Sequence, residues 1–230
     1  MIPAKNESKT IVQVITEVKR CYVCDIIVVD DASEDNTAQL AKVNGAMVLP
    51  HVESKGAWLA TQTGIRYARK NAYDMTVTMD ADGQHRAADV GELLSAARGD
   101  CDVVVGACVE RGSFSRRFAW TLFKRLTGIS IFDITSGFRL YKNTAMDVLS
   151  SRQASLLEYQ DMGVLLMLRS AGLKIEEVPV QMPLREFGIS RIFSSWSKVG
   201  YYMFITLFLC LVKAVPEKTS RFTNRLKQGL

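Results

Sequence analysis

The sequence predicts an α/β fold, an open and mostly parallel sheet with helices on both faces. Three observations carry that prediction. Short β-branched runs alternate with stretches of helical periodicity through the first 107 residues. Several of those runs end in acidic or polar residues at what would be one edge of a sheet. A separate apolar stretch with a basic tail closes the chain and belongs to neither pattern.

The elements follow in order. Ile11, Val14, Ile15 and Val18 stand at i, i+3, i+4 and i+7, which predicts an amphipathic helix over 9–20. "DIIVVD" (25–30) is an apolar run with charged ends, as a buried parallel strand requires. A helix over 35–44 stops at Gly45, and "AMVLP" (46–50) is a strand. Residues 56–71 form a helix whose last turn carries Arg69 and Lys70, suited to its negative end. "MTVTM" (75–79) is a strand. Asp89 is positioned to cap a helix running to Arg98, and "CDVVVGA" (101–107) is the next strand. Beyond it the pattern loosens: a helix over 114–127, a strand at "FRLYK" (138–142), and a helix over 159–171 closed by Gly172. A strand at "KIEEVPV" (174–180) follows, whose proline favours an edge.

The 230 residues suit one large domain or a domain with an appendage, and 48% hydrophobic content is enough for a sizeable core. No basic stretch followed by an apolar run marks a leader at the N-terminus, and five cysteines without dense spacing do not read as a disulfide framework. "CYVC" (21–24) has the spacing of a zinc or redox half-site, but no second pair matches it, and a structural role is the reading. The net charge of +5 is concentrated in two places. One is the block Arg111, Arg116, Arg117, Lys124, Arg125. The other is the tail from Lys213, where five basic residues stand against Glu217. With no nucleic-acid motif, these clusters suit a solvated surface, a phosphate-bearing substrate or an anionic membrane. Between Lys198 and Lys213 lie fourteen uncharged, mostly apolar residues, "VGYYMFITLFLCLV". A spanning helix needs roughly 20. The run, with Trp196, Tyr201 and Tyr202 at one end, predicts a C-terminal helix lying in a membrane interface. Two regions result: a catalytic-type domain over 1–190 and a membrane-associating helix with a basic tail over 191–230.

The chemistry centres on "TVTMDADGQH" (76–85). Asp80 and Asp82 end a strand one residue apart and repel each other unless a cation joins them. A hard ion such as Mg²⁺ or Mn²⁺ takes oxygen ligands and keeps several waters, so two carboxylates plus a substrate phosphate suffice, with Gln84 as a further oxygen. A solvated turn around Gly83 is the bland alternative.

Six stretches, "IPAKNES", "VVDDASEDNT", "KGAWLATQTGIRYA", "MDADGQH", "DITSGFRLYK" and "EEVPVQMPLREFGISRI", occur in an order and spacing that resemble the inverting family 2 glycosyltransferases of GT-A fold. The similarity covers about residues 1–192. The closest subgroup resembles dolichol-phosphate mannose synthase and other polyprenyl-phosphate glycosyltransferases. The resemblance implies a GT-A-like, Rossmann-like sheet and transfer of a sugar from GDP-mannose or a UDP-hexose to dolichyl or undecaprenyl phosphate. It implies a cytoplasmic membrane face as the location. It places Pro3, Ala4, Glu7, Asp31, Lys55, Asp80, Ala81 and Asp82 at the nucleotide sugar, with Asp31 accepting a hydrogen bond from the base. It places the divalent ion on Asp80, Asp82 and Gln84, and the acceptor phosphate on Arg116, Arg117, Ser136, Arg139, Arg185 and Arg191.

A phosphate acceptor is already ionised and needs cationic positioning rather than a base, which suits arginine. A saccharide hydroxyl, the alternative acceptor in surface polysaccharide synthesis, needs a base, and Asp161 holds that place. A non-catalytic nucleotide- or membrane-binding module is the rival from outside enzymology. Two departures from the family pattern stand out. Only Met1 and Ile2 precede Pro3, so the first strand is expected to be short, and Phe132 stands where many polyprenyl-phosphate synthases carry an arginine, so that one phosphate contact is lost or moved. His85, just past the acids, is placed near the diphosphate, and His51 reads as a loop residue.

Overall fold

A computed structural model of the chain describes residues 1–108, 131–157 and 162–182. Strand β1 (Ile2–Ala4) leads to α1 (Ile11–Cys21), β2 (Ile27–Asp30), α2 (Thr37–Val43), β3 (Met47–Pro50), α3 (Ala57–Lys70) and β4 (Met75–Thr78). A 3₁₀ turn (Ala87–Asp89), α4 (Val90–Ala96) and β5 (Val103–Ala107) follow. After residue 130 come β6 (Arg139–Lys142), α5 (Asn143–Leu149), a 3₁₀ turn (Gln153–Leu156), α6 (Met162–Ser170) and β7 (Ile175–Pro179).

The strands pair in two groups, β1-β2-β3, all parallel, and β4-β6-β5-β7, in which β6 runs antiparallel to both of its neighbours. Met1 joins the groups. Its nitrogen donates to the Val77 carbonyl at 2.8 Å, and its carbonyl accepts the Met79 N–H at 3.0 Å. The result is one sheet in the order β3-β2-β1-β4-β6-β5-β7, with β1 at the point where the strand order reverses. The first strand binds β2 on one side and, through Met1, β4 on the other. Gly64 of α3 packs on this seam: a Cβ there would lie 2.3 Å from Met1 Cγ.

Each face of the sheet carries a core. On one, Trp58 and Ile65 of α3, Met146 and Leu149 of α5 and Leu165 and Leu168 of α6 pack on Val103, Val105 and Tyr141. On the other, Ile11 and Ile15 of α1 and Leu93 of α4 pack on Val28, Val104 and Leu140. Neighbouring residues of β5 thus serve opposite faces, the period-two pattern of a central strand. The Trp58 indole N–H reaches the Ala154 carbonyl at 2.7 Å, so its one polar atom is satisfied in the core. β7, with Pro179, ends the strand order, as its proline predicted.

Two sequence expectations are corrected here. Asp89 stands at the N-cap position of α4 but ends a 3₁₀ turn there, and its side chain makes no capping bond. α5 was not foreseen; its seven residues are too few for helical periodicity to register. Cys21 and Cys24 are exposed free thiols. Among the described residues no helix is long and apolar enough to cross a membrane. The helix predicted over 114–127 and the C-terminal apolar run lie outside the described residues.

Candidate functional site

Parallel pairing brings the carboxyl ends of β1, β2 and, through Met1, β4 to one edge, where the sequence places its polar motifs. The loops beyond β1 and β2 are tied together: Asn6 N–H donates to Ser33 Oγ, Glu34 N–H to Asn6 Oδ1 and Glu7 N–H to Thr37 Oγ1. Asn6 and Ala32 both adopt left-handed backbone, with φ of 55°. A non-glycine residue pays for that conformation, and such residues gather at functional loops.

Asp31 occupies the centre of this edge, but in another posture than expected. Oδ1 accepts from the Lys55 N–H at 2.7 Å and faces His51 Nδ1 at 2.9 Å; Oδ2 accepts from Ser54 Oγ at 2.8 Å and the Gly56 N–H at 2.9 Å. The carboxylate is buried and its four acceptor directions are taken. Burial pushes its pKa up, but the bonds from Lys55, His51, Ser54 and Gly56 outweigh that and hold it below the ordinary value. Asp31 therefore fastens the loop that leads into α3, where Gly56 takes φ of 90°. A bond from a donor base would have to displace one of these partners. At the start of α2 it is Asp35 that accepts the Thr37 N–H, at 2.9 Å. His51 is no simple loop residue: its Nε2 meets Thr63 Oγ1 at 3.0 Å, so its ring bridges β3's end to α3. The Lys55 side chain is exposed beside Glu53, at 3.4 Å. Asp30, the first acid of the doublet, is buried, and its Oδ1 has no hydrogen-bond partner.

At the end of β4 the two acids differ. The Asp80 side chain is 48% exposed, whereas Asp82 is 6% exposed and accepts the Gln84 N–H on Oδ1 at 2.9 Å. Gly83, at φ of 79°, makes the turn that returns Gln84 beneath Asp82. Gln84 and Ala81 are buried alongside. His85 folds back so that Nδ1 accepts the Asp80 N–H at 2.9 Å, and Nε2 lies 3.7 Å from Asp80 Oδ2. The ring stacks on Phe138, with centroids 4.9 Å apart. On the other flank of Asp80 is the Gly137 backbone, where a Cβ would stand 2.9 Å from Oδ1. This corner offers oxygen donors of Asp80, Asp82 and Gln84, and that donor chemistry fits a hard divalent ion. Among the described residues no group of three or more His, Cys, Asp or Glu side chains is arranged to hold a metal by itself.

The "DITSGFR" segment is built differently from the expectation. Ser136 Oγ donates to the Gly106 carbonyl and accepts the Phe138 N–H at 3.2 Å. Arg139 has no exposed surface; Nε donates to the Ser136 carbonyl and Nη2 to the Ile134 carbonyl, both at 2.8 Å, and Nη1 has no partner. Both were assigned to the acceptor phosphate. In the structure both are buried and bond backbone groups of this loop and of β5, and only Nη1 of Arg139 is left without a partner. Glu177 of β7 holds the start of this loop, accepting the N–H groups of Phe132 and Asp133 at 2.8–2.9 Å. Arg116, Arg117, Asp161, Arg185 and Arg191 lie outside the described residues.

The sequence reading thus missed Gly137, Glu177 and the task of His51. A small residue inside "TSGF" was the one available signal for Gly137. Nothing in the sequence marks Glu177 apart from any other strand acid.

The model of the family described as "Glycosyl transferase family 2" matches residues 1–151. The chain belongs to that family. As a family 2 glycosyltransferase it is similar, at 27% identity over 91% of its length and 94% of the relative's, to a UDP-N-acetylglucosamine–dolichyl-phosphate N-acetylglucosaminyltransferase of Methanococcus voltae. It is 30% identical to an undecaprenyl-phosphate mannosyltransferase of Micrococcus luteus, over 84% of this chain and 86% of that one. Among solved structures, glucosyl-3-phosphoglycerate synthase of Mycobacterium tuberculosis in complex with Mn²⁺, UDP and glucosyl-3-phosphoglycerate superposes with a TM-score of 0.69. That match has 17% identity and covers 93% of this chain and 78% of the other. The likeness establishes the GT-A fold for this glycosyltransferase.

Proposed function

We propose that this glycosyltransferase moves a sugar, with inversion, from a nucleotide sugar to the phosphate of a polyprenyl phosphate at a membrane surface. The observation that carries the reading is the corner at the end of β4. There a half-exposed Asp80, braced on both flanks, stands beside buried Asp82 and Gln84 at the edge shared with β1 and β2. The kinship with transferases named for dolichyl and undecaprenyl phosphate supports the choice of acceptor.

Asp80, Asp82 and Gln84 would hold Mg²⁺ or Mn²⁺, an ion that offsets charge gathering on the departing nucleoside diphosphate. The solved protein of like fold that carries Mn²⁺ and UDP supports that assignment. Pro3, Ala4 and Glu7 line the end of β1 where the nucleoside would lie, and Asp31 orders the Lys55–Gly56 loop beside it. The unpaired Oδ1 of Asp30 leaves one more acceptor on that side. The acceptor phosphate falls to Arg116, Arg117, Arg185 and Arg191, which need supply only charge and orientation. The apolar run after Lys198 and the basic tail bring the domain to an anionic lipid surface, as a unit distinct from residues 1–190.

The test offers radiolabelled UDP- and GDP-sugars with Mn²⁺ to the full chain, together with polyprenyl phosphate or soluble saccharides. Label is expected in the lipid phase, and label confined to the soluble saccharide overturns the acceptor. Asp82→Ala is expected to reduce transfer at least about a hundred-fold, in keeping with several kcal/mol of metal-borne stabilisation.

A further inference from the structure

Asp80 is bonded by one residue at its backbone and faced by it at its carboxylate. His85 Nδ1 accepts the Asp80 N–H at 2.9 Å, and a ring nitrogen that accepts carries no hydrogen. The ring hydrogen is thereby placed on Nε2, which faces Oδ2 of the same Asp80 at 3.7 Å. That separation is too long for a hydrogen bond as it stands. It is short enough for a small rotation of the carboxylate to close. The ring cannot turn away, because it is buried and stacked on Phe138 with 21° between the planes. Phe138 is itself anchored: its N–H goes to Ser136 Oγ, which in turn bonds Gly106 of β5. Across the carboxylate, Gly137 leaves no room for a side chain beside Oδ1.

We propose that His85 is a positioning residue for the metal-binding carboxylate of Asp80, aiming it toward the site while Gly137 forms the opposite wall. The inference rests on the metal reading given above. A residue that only filled the space under Phe138 would have no need of a nitrogen on the Asp80 amide, and an apolar ring would serve. A ligand whose direction is set before the ion arrives loses less freedom on binding, and outer partners of this type typically govern metal affinity by about 10–100-fold.

The experiment titrates Mn²⁺ into the full chain with UDP or GDP present, by calorimetry, and records the thermal midpoint of each variant alongside. His85→Phe keeps the stacked ring and removes both nitrogens; its Mn²⁺ dissociation constant is expected to rise about ten-fold. His85→Asn, whose side-chain oxygen falls near the position of Nδ1, is expected to restore most of that loss. Gly137→Ala, which presses on Oδ1 without touching the imidazole, is expected to weaken Mn²⁺ as His85→Phe does. A lowered midpoint with unchanged Mn²⁺ affinity in His85→Phe overturns the inference and reduces His85 to a core residue. If that variant does not fold, unchanged affinity in Gly137→Ala overturns it. The metal reading fails separately, and takes the inference with it, if the unaltered chain shows no Mn²⁺ binding that Asp80→Ala abolishes.

Discussion

Arg139 shows how far a residue's type can mislead about its place. An arginine beside a polar loop in a protein that handles phosphates suggests a surface cation, yet this one has no exposed surface and holds two backbone carbonyls. A buried guanidinium persists where its donors match fixed acceptors, and the turn from Ile134 to Ser136 provides them. Arg139→Met leaves those carbonyls unsatisfied, each worth about 1–3 kcal/mol. Chemical denaturation of the variant is therefore expected to show a loss of about 2–6 kcal/mol. The same reasoning explains what was legible at this scale. The spacing of Asp80, Asp82 and Gln84 at a strand end could be read, and the structure brings the three to one corner. Arg139, Ser136 and Asp31 suggest ligand contacts, yet their partners in the structure are groups of the protein itself, and a sequence does not display which of those will come within reach.

Among the elements, the loop from His51 to Gly56 depends on one side chain more than on its own composition. Asp31 gathers two backbone N–H groups, a hydroxyl and an imidazole from it, although it lies 20 to 25 residues earlier in the chain. A carboxylate whose folded pKa is depressed stabilises the fold above its unfolded value, and that contribution disappears as the pH drops through the folded value. With an ordinary value of 3.8 lowered in the fold, the stability advantage of the unaltered chain over Asp31→Asn is expected to be full at neutral pH. It is expected to shrink only once the pH falls below about 4. Urea unfolding of both proteins across that range measures it, and a difference that is constant with pH counts against the assignment. Elements with strong periodicity, α1 and α3 among them, stand within a residue or two of where the sequence places them. The 3₁₀ turn before α4 and the short α5 do not, since three to seven residues are too few to separate a helical period from chance.

For the whole molecule, an open sheet with helices on both faces could be read from alternation alone, because each buried parallel strand declares itself as a β-branched run. What alternation cannot reveal is that β6 enters between β4 and β5 in reverse. "FRLYK" has the same composition whichever way it runs, and direction is settled by which neighbours remain unpaired. In the register Thr78↔Arg139 and Val105↔Arg139, one residue of β6 stands opposite both of its neighbours.

That insertion sets an order of assembly. β4 ends at Thr78 and β5 at Ala107, and the strand that bridges them is complete only at Lys142. A growing chain must hold both in waiting until then, since contacts of such long separation form late and leave apolar strand edges open meanwhile. A fragment ending at residue 137 is expected to aggregate on release and to bind no UDP, and one ending at residue 182 to recover solubility, as sedimentation of the two would register. The corner at the end of β4 is thus encoded early and closed late, its β4 edge waiting on a strand that arrives about sixty residues later.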